Sequence, residues 1–441
     1  AALRGYAQSK LNSAIVFSAG INRRLYSYIE KFKDFYADAK GVIKKRIILK
    51  VTDYRSSFVQ GSFLAKKGLW VSEYRVESGL NCGGHAFASD GFLLGPILEE
   101  FKNKKNDLIS SLHKIYNEAL KLKNGFCFNN PHNIKITSQG GIGTQKEDEF
   151  LIEHYEIDGT GWATPFLLVP EVTNVDEDTL NKLSKAEEKD LYLSDVSPLG
   201  VPFNNLRDNN SDLEKSRRIS VGLPGSACPK GYLVSNMEFT ETPICTASRQ
   251  YQKLKIDQLG KLNLSAEAFR EKYDTLVKKA CICNDLAEAP LINHNVFKSG
   301  VMRFTAICPG PNMAYFSKIS TLREMVDHIY GRTNLLNSTY RPNMFIKELK
   351  MYVEYFTKEI QTSTLDLTEK KIAYLNEFRK NLFDGIEYYF SLFPQMIKES
   401  VEYRRKAIEE LSHYKEKVEK LLMEYKQIFS VAASSFAIAS V

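Results

Sequence analysis

The sequence predicts an α/β protein, and three observations carry that reading. Short β-branched runs alternate with longer amphipathic stretches over the first 170 residues, the pattern of βα units in a parallel sheet. Most of those runs are followed by Gly, Asp or Ser, as where βα loops build a site at the carboxyl edge. The chain has 441 residues, 43% hydrophobic and 26% charged, the composition of a globular protein long enough for more than one domain.

In chain order, strands are expected at Ala14–Phe17, Arg46–Val51, Leu69–Ser72, Asn133–Thr137 and Gly159–Thr164. Each is short, β-branched or bounded by turn residues. Helices are expected between them, at Arg24–Tyr36, Ser57–Lys66, Leu94–Leu122 and Lys146–His154, where apolar residues recur at helical spacing. Residues 171–220 are polar and turn-rich and read as a connector with one or two short helices. Residues 221–316 hold five of the seven cysteines and few periodic runs, which predicts an irregular, Cys-containing insert, stapled or not. From about Arg341 to Gln427 the pattern is helical, broken at Thr362–Thr364 and at Phe393–Pro394, so three helices are expected. The domain boundaries that follow are 1–210, 211–340 and 341–441.

Three segments carry candidate chemistry. In ESGLNCGGHAFA (Glu77–Ala88), Gly83 and Gly84 let the backbone turn tightly beside a flat ligand, and His85 follows as acid, base or hydrogen-bond donor. A loop histidine satisfied by backbone groups is the alternative. In IKITSQGGIGT (Ile134–Thr144), a strand runs into Gly140, Gly141, Ile142 and Gly143 ahead of a helix, an arrangement suited to a phosphate. In DGTGWATPF (Asp158–Phe166), a short strand ends at Ala163 and Thr164. Two such loops in succession are similar to the phosphate grip after the last strands of a (βα)8 barrel; ordinary turns are the alternative.

The ordered series resembles the FMN-dependent TIM-barrel family that includes nitronate monooxygenases and FMN-dependent enoyl-acyl-carrier-protein reductases. Its residues are AIVFSAG (Ala14–Gly20), RIILKV, ESGLNCGGH, ITSQGGIG, DGTGWATPF and, after the barrel, GVPFNNLRDN (Gly200–Asn209). The resemblance covers about residues 10–210. It implies a TIM-type (βα)8 barrel with its front strands absent from this chain, those strands coming from an N-terminal segment or another chain. It also implies an FMN-dependent oxidoreductase acting on a nitronate or an enoyl thioester. His85 would be the active-site histidine, and Gly140, Gly141, Ile142, Ala163 and Thr164 would bind the FMN phosphate. Ser18, Ala19 and Gly20 would line the ring pocket. Ala163 stands where the family usually has Gly, which requires negative φ there, and Cys82 replaces a small residue. Lys50, ending the second strand, would face the flavin or be solvated. A barrel-derived scaffold without catalysis, using the helical and Cys modules for assembly, is the competing reading.

Cys228, Cys245, Cys281 and Cys283 are candidate ligands of an iron–sulfur cluster or Zn²⁺. No Cys-x-x-Cys pair supports them, and packed free thiols are the alternative. The other histidines show no metal spacing. The net charge of +7 is spread along the chain, which does not favour a nucleic-acid partner. No run reaches the 18 or so apolar residues of a membrane span, and seven cysteines do not make a disulfide scaffold, so a cytoplasmic setting is expected. Ala1 reads as an internal cut.

Overall fold

The computed structural model describes residues 1–81, 83–86, 89–296, 303–363 and 367–429. Cys82 and the apolar tail beyond 429 lie outside them. The core is a sheet of β1 (Ser13–Phe17), β2 (Lys45–Val51), β3 (Val71–Glu77), β4 (Lys135–Gln139) and β5 (Gly159–Gly161). All neighbours are parallel and the spatial order is the chain order. Between the strands run α2 (Arg23–Ile29), α3 (Tyr54–Ala65), α4 (Leu94–Leu122) and α5 (Gln145–Tyr155), with α1 (Ala2–Gln8) ahead of β1. Sequential parallel order with helical crossovers is the beginning of a barrel, but five strands form a half-barrel. The expectation of a TIM-type (βα)8 barrel is therefore corrected: among the described residues the sheet is open and no strand pairs β1 with β5.

Alternation along the strands explains how the sheet is covered. Ile47, Leu49 and Val51 of β2, Tyr74 and Val76 of β3, and Ile136 of β4 enter the main apolar core. The other face is polar: Lys50 pairs with Glu77 at 2.7 Å, Arg75 with Glu73 at 2.7 Å, and Thr137 and Gln139 donate to Glu73 and Glu77. That face also displaces the third strand from its expected place. The alternating charges of Glu73, Arg75 and Glu77 hide it in the sequence, while Leu69 and Trp70, expected to open it, are buried just before it.

After β5 come α6 (Glu177–Leu183), a hairpin of β6 (Leu191–Ser194) and β7 (Phe203–Leu206), and α7 (Asn210–Ser220). The hairpin falls in the stretch expected to be a connector. The Cys-containing region holds α8 (Arg249–Gly260), α9 (Ala266–Val277) and the short α10 (Ile282–Asp285) and α11 (Glu288–Asn293); α12 (Leu322–Ile329) follows. No disulfide staples it, since all six described cysteines are free. The C-terminal region is three helices: α13 (Met344–Ser363), α14 (Glu369–Leu392) and α15 (Val401–Glu424).

Those helices share the sheet's core. Leu349, Val353, Phe356, Leu382, Leu411 and Val418 belong to the same buried cluster as Leu49 and Tyr74. A second cluster joins Leu168, Leu183, Met313, Tyr315 and Met325. No helix among the described residues is long and apolar enough to cross a membrane.

Candidate functional site

The carboxyl ends of the five strands deliver their loops to one edge, as parallel alignment requires. The loop after β1 places Ala19 and Gly20 on the wall of a cavity of about 660 Å³. Thr52, Asp53, Arg55 and Gln60, after β2, line it too, as do Ala86, Pro202, Tyr355 and Tyr374. Ser18 is exposed just before this wall. The volume lies within the range of small-molecule sites. Asp53 caps α3 through the Ser56 amide at 2.6 Å, so its carboxylate already serves that helix end.

The loop after β3 is held from both sides. Glu348 of α13, fully buried, accepts from the Ser78 hydroxyl, the Gly79 and Leu94 amides and the Tyr389 hydroxyl. Burial pushes its carboxyl above the ordinary range, against those four donors. Asn81, at φ 43°, donates to the His85 carbonyl at 2.6 Å and accepts from the Gly83 amide at 2.7 Å. At Gly83, φ is 114° and a Cβ would lie 2.1 Å from the Cys308 carbonyl oxygen, so no side chain fits. Gly84 continues the turn at φ 78° and receives the Asn204 amide on its carbonyl.

His85 is half-buried. Its Nε2 meets the Ser197 hydroxyl at 2.7 Å, and its ring stands edge-on to Phe203 at 5.0 Å. The Ala86 amide donates to the Pro202 carbonyl, which fixes the loop to β7. Burial lowers the imidazole pKa, so the ring is neutral at neutral pH and able to take a proton.

The glycine loop after β4 is buried, with φ of 95° at Gly140 and 80° at Gly141. The amides of Gly140, Gly141 and Ile142 have no hydrogen-bond acceptor among the described residues. Buried amides are rarely left unpaired. Gly143 is not among them. Its amide donates to Glu147 at 2.9 Å, and a Cβ there would meet the Arg341 guanidinium. Arg341 and Glu147 form a buried pair at 2.7 Å, and Arg341 also donates to the Gly141 carbonyl and Asn312.

At the end of β5, Ala163 has φ −135°, the negative value that a residue other than Gly requires. Thr164 accepts from the Gly310 amide at 3.2 Å. The largely buried segment Cys308–Phe316 thus crosses three strand ends: Cys308 over Gly83, Gly310 at Thr164, and Asn312 donating to the Ile142 carbonyl at 2.8 Å. This crossing, Ser197 and the Arg341–Glu147 pair escaped sequence reasoning. Asn81, two residues before the Gly83–Gly84 pair, is a local signal of a left-handed turn.

Lys50 pairs with Glu77 at 2.7 Å, with its side chain 28% exposed. Cys228, Cys245, Cys281 and Cys283 gather around Cys228. Among the described residues, no three His, Cys, Asp or Glu side chains are placed to hold a metal ion.

For FMN, the glycine loop offers three buried amides with no acceptor among the described residues, and the cavity beside Ala19 and Gly20 offers room for a ring. No protein-family model matches the chain, and no curated protein matches it.

Proposed function

We propose that the chain carries an FMN-dependent oxidoreductase site of the nitronate monooxygenase or enoyl reductase kind. The observation that carries the reading is the buried run of unpaired amides at Gly140, Gly141 and Ile142, preceding α5 on the edge where the first three loops open a cavity. These amides, with that of Ala163, would hold the phosphate, and Ala19 and Gly20 would flank the ring. The flavin when bound supplies hydride or electron transfer. The chain's part is proton handling. His85, neutral and anchored through Nε2 to Ser197, takes or returns a proton on the substrate, and Phe203 keeps the ring from turning away.

A visible absorption spectrum of the purified chain, before and after FMN is added, tests binding. A flavin band that survives gel filtration is expected. A protein that stays colourless with added FMN would overturn the reading and favour the scaffold. His85→Ala should keep the flavin and slow turnover of a nitronate or enoyl thioester about 10²-fold or more; unchanged turnover removes His85 from the chemistry.

A further inference from the structure

Beside the cavity at the strand ends lies a second one, of about 350 Å³, and the two share Pro202 and Tyr355 as walls. Its size is that of a small-molecule site. One side is apolar, formed by Leu80 from the loop after β3, Leu191 and Leu193 of β6, and Met351 of α13. The other side carries Lys347 and Lys350 of α13 with Glu188.

Lys347 holds its amine where lysine is seldom found. The side chain is buried, and its Nζ stands 4.0 Å over the ring of Tyr315, which is buried completely. The same nitrogen donates to the Tyr315 hydroxyl and, at 3.0 Å, to Oε1 of Glu188. The Tyr315 hydroxyl donates to that oxygen too, while Lys350 takes Oε2 at 3.0 Å. Two ammonium groups therefore share one carboxylate, and the more buried of them lines an apolar cavity. Desolvation and a neighbouring cation are the two conditions that free a lysine to attack a carbonyl.

The charges agree with this geometry. Burial, helped by Arg341 and Lys350, outweighs Glu188 and brings the Lys347 amine down to about 8. Burial opposes the charge on Lys350 as well, but there Glu188 prevails and holds the amine above its ordinary value. Burial and the adjacent Glu188 raise the Tyr315 phenol, so it keeps a proton to donate.

We propose that Lys347 is a nucleophilic amine that forms an imine with a small aldehyde of apolar body bound in this second cavity. The neutral amine attacks the carbonyl carbon, forming the C–N bond and opening the carbonyl to an alkoxide. Tyr315 protonates that oxygen and recovers a proton from the nitrogen. A second proton from Tyr315 releases the hydroxyl as water, and the nitrogen again returns its proton. Amine and aldehyde thus give imine and water, with no oxidant or reductant involved. Glu188 positions both the amine and the phenol through Oε1. The proposal does not rest on the flavin reading, since neither Lys347 nor Tyr315 lines the first cavity.

The full chain is treated at pH 7 with limiting 3-methylbutanal and sodium cyanoborohydride, which reduces an imine to a stable secondary amine. Peptide mass spectrometry then locates the modified lysines. Lys347 should carry about 10-fold more label than Lys350 or more, because a lower pKa leaves more neutral amine at that pH, although the Lys350 side chain is 37% exposed. The rate at Lys347 should rise with pH and level off above about 8, a value set by Glu188, Lys350, Arg341 and Tyr315 around it and by Glu354 in the cavity wall. Label on exposed lysines with Lys347 unmodified would overturn the proposal. Tyr315→Phe should keep Lys347 as the labelled residue and slow its reaction about 10²-fold; an unchanged rate would remove the phenol from the chemistry. Glyoxylate, a small anionic aldehyde, should label Lys347 more slowly than 3-methylbutanal. The reverse order would overturn the apolar substrate class while leaving the reactive amine standing.

Discussion

Lys347, on the first turn of α13, is 6% exposed and donates to the Tyr315 hydroxyl and to Glu188, which also receives Lys350. Burial outweighs the attraction of Glu188 and brings the amine down to about 8. Burial pushes Glu188 up, but Lys347, Tyr315 and Lys350 together hold it at about 2. The sign of the pH effect follows. A carboxyl whose folded pKa is depressed contributes stability above about 4.5 that is lost as the pH falls toward about 2. Because its side chain is 42% exposed, the effect is screened and modest. Glu188→Gln should therefore lower the urea midpoint at pH 6, with the gap from the native chain closing as pH falls through that window. A gap that does not depend on pH would show that packing, not charge, is what Glu188 supplies. None of this trio could be read in the sequence, where Glu188, Tyr315 and Lys347 are unremarkable members of three distant segments. His85 and the Gly140–Ile142 loop could be read, because glycine pairs beside a histidine or a helix start are local signatures.

Among the elements, α5 and its glycine loop depend on a partner almost two hundred positions away. Glu147 lies in the first turn of α5, where its carboxylate serves the Gly143 and Met344 amides as well as Arg341. Removing the guanidinium leaves that carboxylate buried and uncompensated. Arg341→Met should cost about 3–5 kcal/mol, and adding Glu147→Leu should recover part of it, as measured by chemical denaturation. If the double variant is no better than the single one, the loss lies in Arg341's bonds to Gly141 and Asn312. Helix boundaries such as 94–122 were legible because a long amphipathic period leaves little choice. The third strand and the β6–β7 hairpin were not, since polar partners satisfy their side chains and no apolar alternation announces them.

For the whole molecule, one apolar core spans the sheet and the three C-terminal helices. Leu49 of β2 and Leu382 of α14 are both 0% exposed within it. Leu49→Ala and Leu382→Ala should each cost about 2–5 kcal/mol and lower the midpoint of the same unfolding transition, followed by far-UV circular dichroism. Two separated transitions, each moved by one substitution only, would show that the helices fold by themselves. The parallel sheet was visible in the alternation of runs. Its five strands were visible too, the third out of place; the closed (βα)8 barrel that the resemblance implied is not met among the described residues, where β1 and β5 are the free edges of the sheet.

The ion pair between Glu147 and Arg341 has a consequence for synthesis. The partners are 194 positions apart, and a ribosome adding about 5–20 residues per second needs roughly 10–40 s to travel between them. From the completion of β5 at residue 161 onward, the nascent sheet has its strands and crossover helices but lacks both the arginine for its buried acid and the helical cover for its core. A chain in that state offers sticky apolar surface to a holding chaperone, and the synthesis of residues 344–424, the helical cover, decides whether it is sealed in time.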